Sequence, residues 1–155
     1  MEPKTKVTAE ENKQEILITR TFDLPVNLLY RAYTEPELME QWMGNRVLKL
    51  ENKAHGGYLF ETTDKQGNVL FRANGAIHKI TENQNITRTF EMENTPFPVQ
   101  LEYLDFESIN DKTSKLTIKI LFKSVEDRDN MLKLPFAQGI NMAHNQLQKT
   151  LAKLK

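Results

Sequence analysis

The chain has 155 residues, no Cys, and 21 Lys plus Arg against 21 Asp plus Glu. A chain of this length fits one domain and needs no covalent staple, and without Cys both a disulfide framework and thiolate chemistry are excluded. Balanced charge argues against a nucleic-acid footprint, no apolar run approaches the ~20 residues of a membrane span, and the first residues lack the apolar core of a signal peptide, so the expectation is a cytoplasmic monomer or weak dimer.

Residues 1–13 are polar, with Pro3 and several charges, and read as a flexible arm before one domain over 14–155. From Gln14 to Phe22 the alternation predicts a strand, with Ile16, Ile18 and Phe22 on one face and Arg20 in phase with them. Leu24 and Pro25 open a helix whose apolar stripe is Val26, Leu29, Tyr30 and Tyr33. Thr34 and Glu37 have capping-box spacing, and Pro36 falls in the first turn of a second short helix. Leu38, Met39 and Trp42 face inward from it, and Gly44 can end it.

Strands follow at Arg46–Glu51 and Tyr58–Thr63, separated by the Gly56-Gly57 turn. Asp64 to Asn68, containing Gly67, reads as a hairpin turn into a long strand from Val69 to Thr81. Phe71, Ala73, Gly75 and Ile77 keep one phase there while Ile80 is out of step, which predicts a bulge near His78. Ile86–Met92 continues, with Arg88 between the inward-phased Ile86 and Phe90. Val99–Ser108 and Lys115–Lys123 form the last pair. Ser124 and Asp127 resemble another helix start.

From Pro135 onward Phe136, Ile140, Ala143, Leu147, Leu151 and Leu154 recur every three or four residues. Such spacing makes one side of a helix of about five turns, with Asn141, Asn145, Gln148, Lys149 and Lys153 on the other. One apolar face that long needs a large partner, because helix propensity alone rarely sustains it, and the strands ahead of it supply a sheet.

Three runs carry a family resemblance: Ile18-Thr-Arg-Thr-Phe-Asp-Leu-Pro25, Tyr30-Arg-Ala-Tyr-Thr-Glu-Pro-Glu-Leu38 and Gln41-Trp42. They resemble the opening of the SRPBCC superfamily, the START-like and birch-pollen-allergen-like group. The Gly56-Gly57 turn, the Gly75-Ala-Ile77 strand, Ser124-Val-Glu-Asp-Arg-Asp129, Met131-Leu132 and Gly139 are similar to its branch named after the heat-shock-protein-90 ATPase activator homologue. The resemblance implies an α+β helix-grip fold, a curved antiparallel sheet of about six or seven strands around the C-terminal helix. It also implies a cavity between sheet and helix that takes a small hydrophobic molecule, and in some members reactions on that molecule. Relatives commonly have apolar or aromatic residues at positions 88 and 144 and a Trp at 140, where this chain has Arg88, His144 and Ile140.

The pocket candidates are Tyr30, Tyr33, Trp42, Phe60, Phe71, Arg88, Phe90, Tyr103, Phe136, Ile140 and His144, with core packing the competing use of each aromatic ring. Trp42, on the helix that closes one end of the fold in relatives, is a candidate gate. Arg20 and Arg88 are either a cation pair for an anionic head group or ion-pair partners of carboxylates such as Glu61 and Glu102. His144 is either a proton carrier or ligand donor, or a core-edge residue bonded to a backbone carbonyl. The three histidines lack metal-ligand spacing, so no metal or cofactor is expected. No Gly-x-Ser-x-Gly, phosphate loop or dinucleotide fingerprint is present, so no catalytic residue is assigned. Three functions follow: binding of a hydrophobic or amphipathic molecule, turnover of the cyclase or hydrolase kind through His144, Arg88 or Tyr103, and contact with a chaperone. The last is the weakest, since the full heat-shock activator carries an N-terminal domain with no counterpart in this chain.

Overall fold

In a computed structural model that describes residues 4–155, eight strands form one antiparallel sheet in the order β1-β2-β8-β7-β6-β5-β4-β3. β3 (Arg46–Leu50), β4 (Gly57–Thr63), β5 (Val69–Thr81), β6 (Asn85–Met92), β7 (Gln100–Asn110) and β8 (Thr113–Leu121) run as a meander, each beside the next. β2 (Glu15–Phe22) returns along β8, and β1 (Lys6–Thr8) lies outside β2. Two short helices, α1 (Val26–Ala32) and α2 (Pro36–Met43), carry the chain from β2 to the far edge at β3. α3 (Val125–Leu132) and α4 (Phe136–Ala152) follow the last strand, and α4 packs on α1, α2, α3 and β1. This is the expected α+β helix grip, with one strand more than the pattern suggested.

The extra strand comes from the stretch read as an arm. Residues 1–3 lie outside the described residues, but Val7 pairs with Ile18 and Thr5 is buried against α4. Three residues are too few to display a period of two. What holds them is the unpaired side of β2, whose backbone groups need partners.

Elsewhere local chemistry places the elements. In β2 the residues Ile16, Ile18, Arg20 and Phe22 are all buried, so the arginine follows the apolar phase inward. Gly44 ends α2 in the left-handed conformation that glycine adopts without strain. The register of β5 on β6 shifts between Ile77 and Lys79, which is the bulge expected at His78. A Cβ on Gly75 would collide with the Thr89 carbonyl and the Tyr58 hydroxyl, which itself donates to that carbonyl. Ser124 caps α3, its Oγ accepting from the Asp127 N–H at 3.0 Å. The Thr34–Glu37 capping box does not form. Thr34 instead donates its hydroxyl to the Tyr30 carbonyl at 3.0 Å, and Glu35 occupies the cap position of α2.

Candidate functional site

The inner face of the sheet and the first half of α4 do not meet. Between them lies a cavity of about 560 Å³. One wall is β6, β7 and β8, through Arg88, Phe90, Gln100, Glu102, Ile118 and Ile120. The opposite wall is α4, through Phe136, Gly139, Ile140 and Ala143. Tyr33, Trp42 and Met43 close one end from α1 and α2, and Met131 borders it from α3, with Leu134 and Pro135 from the turn that follows. The space follows from side-chain size: α4 presents a glycine and an alanine here, and a Cβ on Gly139 would find no atom within 4 Å.

One polar cluster faces this apolar volume. Arg88 and Glu102 stand opposite each other on adjacent strands, and Arg88 Nε donates to Glu102 Oε1 at 2.9 Å. Gln100 Nε2 donates to the other carboxylate oxygen at 2.8 Å. The Arg88 guanidinium also lies over the Tyr58 ring, 5.3 Å from its centroid. Burial works against the charge on Arg88, but the Glu102 carboxylate overrides it and holds the guanidinium above its ordinary pKa. Burial pushes the Tyr33 phenol well above its usual range; Arg88 pulls against that shift and Glu102 reinforces it. Tyr33 and the ion pair therefore share one electrostatic neighbourhood.

A second polar cluster lies behind the cavity. Arg20 Nη1 donates to Thr5 Oγ1 at 3.1 Å and to Asn145 Oδ1 at 2.7 Å. Thr5 Oγ1 is 3.0 Å from His144 Nδ1, and His144 Nε2 is 3.4 Å from the Tyr33 hydroxyl. Burial first, and the Arg20 charge second, lower the His144 pKa to about 4, so the ring is neutral at pH 7. Tyr33 connects the two clusters.

A protein-family model described as Activator of Hsp90 ATPase homolog 1-like protein matches residues 23–152. The chain belongs to that family. Solved structures agree on the fold. Protein Ms6760 from Mycobacterium smegmatis superposes with a TM-score of 0.82 at 20% identity over 94% of each chain. A Rhodobacter sphaeroides protein gives 0.85 at 16% identity over 96% of this chain and 99% of its own. A Staphylococcus epidermidis protein solved by NMR gives 0.79 at 23% identity over 96% and 95%. At these identities the likeness concerns fold alone. No curated protein matches the chain significantly.

Within this family fold the residues singled out from the sequence divide. Tyr33, Trp42, Arg88, Phe90, Phe136 and Ile140 line the cavity. Phe60 does not; it is buried in the core with its ring 4.9 Å from that of Tyr58. Tyr30 packs edge-on against Phe106 at 5.4 Å, away from the cavity. Phe71 is 39% exposed and does not line the cavity, since the first four residues of β5, Val69 to Arg72, are all exposed. Tyr103 is 37% exposed, since the alternation of β7 turns Gln100, Glu102, Leu104 and Phe106 inward and Tyr103 outward. His144 is fully buried behind Tyr33.

The two arginines do not form a cation pair either. Arg20 belongs to the Thr5 cluster, whereas Arg88 pairs with Glu102, and Glu61 pairs with Arg72 at 2.9 Å. Trp42 forms part of the cavity wall: its Nε1 donates to the Ala32 carbonyl at 2.7 Å and its ring packs on Tyr33. Gln100 and Glu102 also line the cavity, beyond the residues expected from the sequence. Their signal was present, in the same period of two that carries Leu104 and Phe106, but polar side chains hid it.

Proposed function

We propose that the protein binds one small, mostly apolar molecule carrying a polar group, in the cavity between the sheet and α4. The observation that carries this reading is the cavity itself. Its volume of about 560 Å³ lies inside the roughly 300–1,000 Å³ usual for small-molecule sites, and its walls are apolar apart from one polar cluster. Binding is favoured over turnover by the state of the titratable groups. The Tyr33 phenol is a poorer acid than usual, and His144 is screened from the cavity by Tyr33.

Titration with the neutral apolar dye Nile red tests the reading. The wild type is expected to bind one dye per chain, and Ile140→Trp, which narrows the cavity beside its polar cluster, is expected to weaken binding at least tenfold. Dye binding that Ile140→Trp leaves unchanged would place the dye elsewhere and remove the proposal. The family description supports a second reading, contact with a heat-shock ATPase. Stimulation of purified Hsp90 ATPase activity by this chain is its direct test, and no change in hydrolysis rate would dismiss it.

A further inference from the structure

We propose that Arg88 and Tyr33 form a hydrogen-bond donor site for an uncharged acceptor, a carbonyl oxygen, on the molecule held in the cavity. The proposal rests on the binding reading above and specifies which polar group the ligand carries.

Arg88 brings five N–H donors. Among the described residues only Nε–H has a protein acceptor, Glu102. Arg88 lines the cavity, and its terminal nitrogens are not among the sealed polar atoms that lack partners. The donors of Nη1 and Nη2 are therefore available to a molecule in the cavity. Glu102 does not compete for a carbonyl oxygen, because an ionised carboxylate only accepts, and its two oxygens already accept from Arg88 and Gln100. Glu102 also neutralises the guanidinium. An anionic head group placed on Arg88 would lie beside a buried carboxylate, where like charges repel strongly. The pair offers donors without net charge.

The Tyr33 hydroxyl supplies a second donor, and its direction follows from the cluster behind it. A guanidinium only donates, so Thr5 Oγ1 accepts from Arg20. The Thr5 hydroxyl hydrogen then has one acceptor among the described residues, His144 Nδ1. A neutral His144 that accepts on Nδ1 carries its hydrogen on Nε2 and directs it at the Tyr33 oxygen. The Tyr33 hydrogen is thereby turned away from His144. Tyr33 makes no other side-chain hydrogen bond among the described residues, and it lines the cavity. Arg20, Thr5, His144 and Tyr33 thus form a one-way relay of donors ending at the cavity wall. Each bond polarises the next and strengthens the last donor.

The test uses three naphthalenes of similar shape, titrated calorimetrically at pH 8: 2-acetylnaphthalene, 2-ethylnaphthalene and 2-naphthoate. The ketone is expected to bind roughly tenfold more tightly than the ethyl compound, as net hydrogen bonds of ordinary strength allow. The carboxylate is expected to bind at least tenfold more weakly than the ketone. Tyr33→Phe should reduce the ketone's advantage over the ethyl compound severalfold. The double variant Arg88→Met with Glu102→Leu should remove the remainder; both partners are changed because either alone would be left buried and uncompensated. Should a variant fail to fold, the wild-type series still decides. Equal binding of ketone and hydrocarbon, or tightest binding of the carboxylate, overturns the donor site while leaving the cavity a binding site. If none of the three binds while Nile red does, the donor site is overturned and the cavity remains a binding site; if Nile red also fails to bind, the binding reading falls and this inference with it.

Discussion

From Phe136 to Ala143 the inward side of α4 borders open space, and from His144 to Leu151 the same side is buried. Both halves carry the same three-and-four repeat. Leu147 and Leu151 are fully buried, whereas Phe136, Ile140 and Ala143 are only partly buried against the core. One half of the helix anchors the fold and the other half forms a cavity wall. An apolar repeat tells which side of a helix turns inward, but what that side meets depends on the opposite surface.

The largest effect that would sharpen this contrast is Leu147→Ala. It removes a side chain with no exposed surface from a packed site, and a loss of about 2–5 kcal/mol in urea unfolding is expected. A loss below about 1 kcal/mol would mean the second half is no better packed than the first.

The next effect is in acid. His144 begins the packed half, with a folded pKa of about 4 against 6.5 when unfolded. Its folded pKa is depressed, so the folded state binds the proton less readily than the unfolded chain. The stability from burying the neutral ring is complete above pH 6.5 and is lost progressively as pH falls from 6.5 to 4. The shift corresponds to roughly 3 kcal/mol at most. In His144→Phe that part of the acid loss should disappear, so the wild type's melting temperature should fall relative to the variant's as pH drops across this window. A constant difference between the two would show that His144 does not control this transition.

Ile140→Trp tests the empty half from the other direction. Filling the space should raise stability by about 0.5–2 kcal/mol even as it blocks the dye. A strongly destabilised variant would indicate that the cavity cannot admit a larger ring. The smallest change is expected for Phe136→Ala. Its ring already borders open space, so the loss should stay under about 1.5 kcal/mol, well below the Leu147→Ala cost. Equal costs for the two substitutions would erase the distinction between the halves.

Much of the architecture was legible in local patterns. The alternation of β2 and β8, the proline-led starts of α1 and α2, the glycine stop at Gly44 and the bulge at His78 are each set by neighbouring residues. Sites were less legible. Phe71 carries the right phase on the wrong part of its strand, and Tyr103 is an aromatic ring on the outward phase. The alternation of β7 separates Tyr103 from Glu102, although the aromatic ring is the more pocket-like side chain of the two. β1 stayed invisible because three residues hold no period, and its stability comes from β2 and α4.

The amino-acid order by itself determined the class of fold, the family, the phase of each strand and the inward side of α4, because these depend on side chains a few residues apart. Only the tertiary structure decided which arginine finds Glu102 and which finds Thr5. It alone also decided that the first half of α4 stands clear of the sheet. Those outcomes depend on distances between residues far apart in the chain, set by how small side chains such as Gly139 and Ala143 space two packed layers.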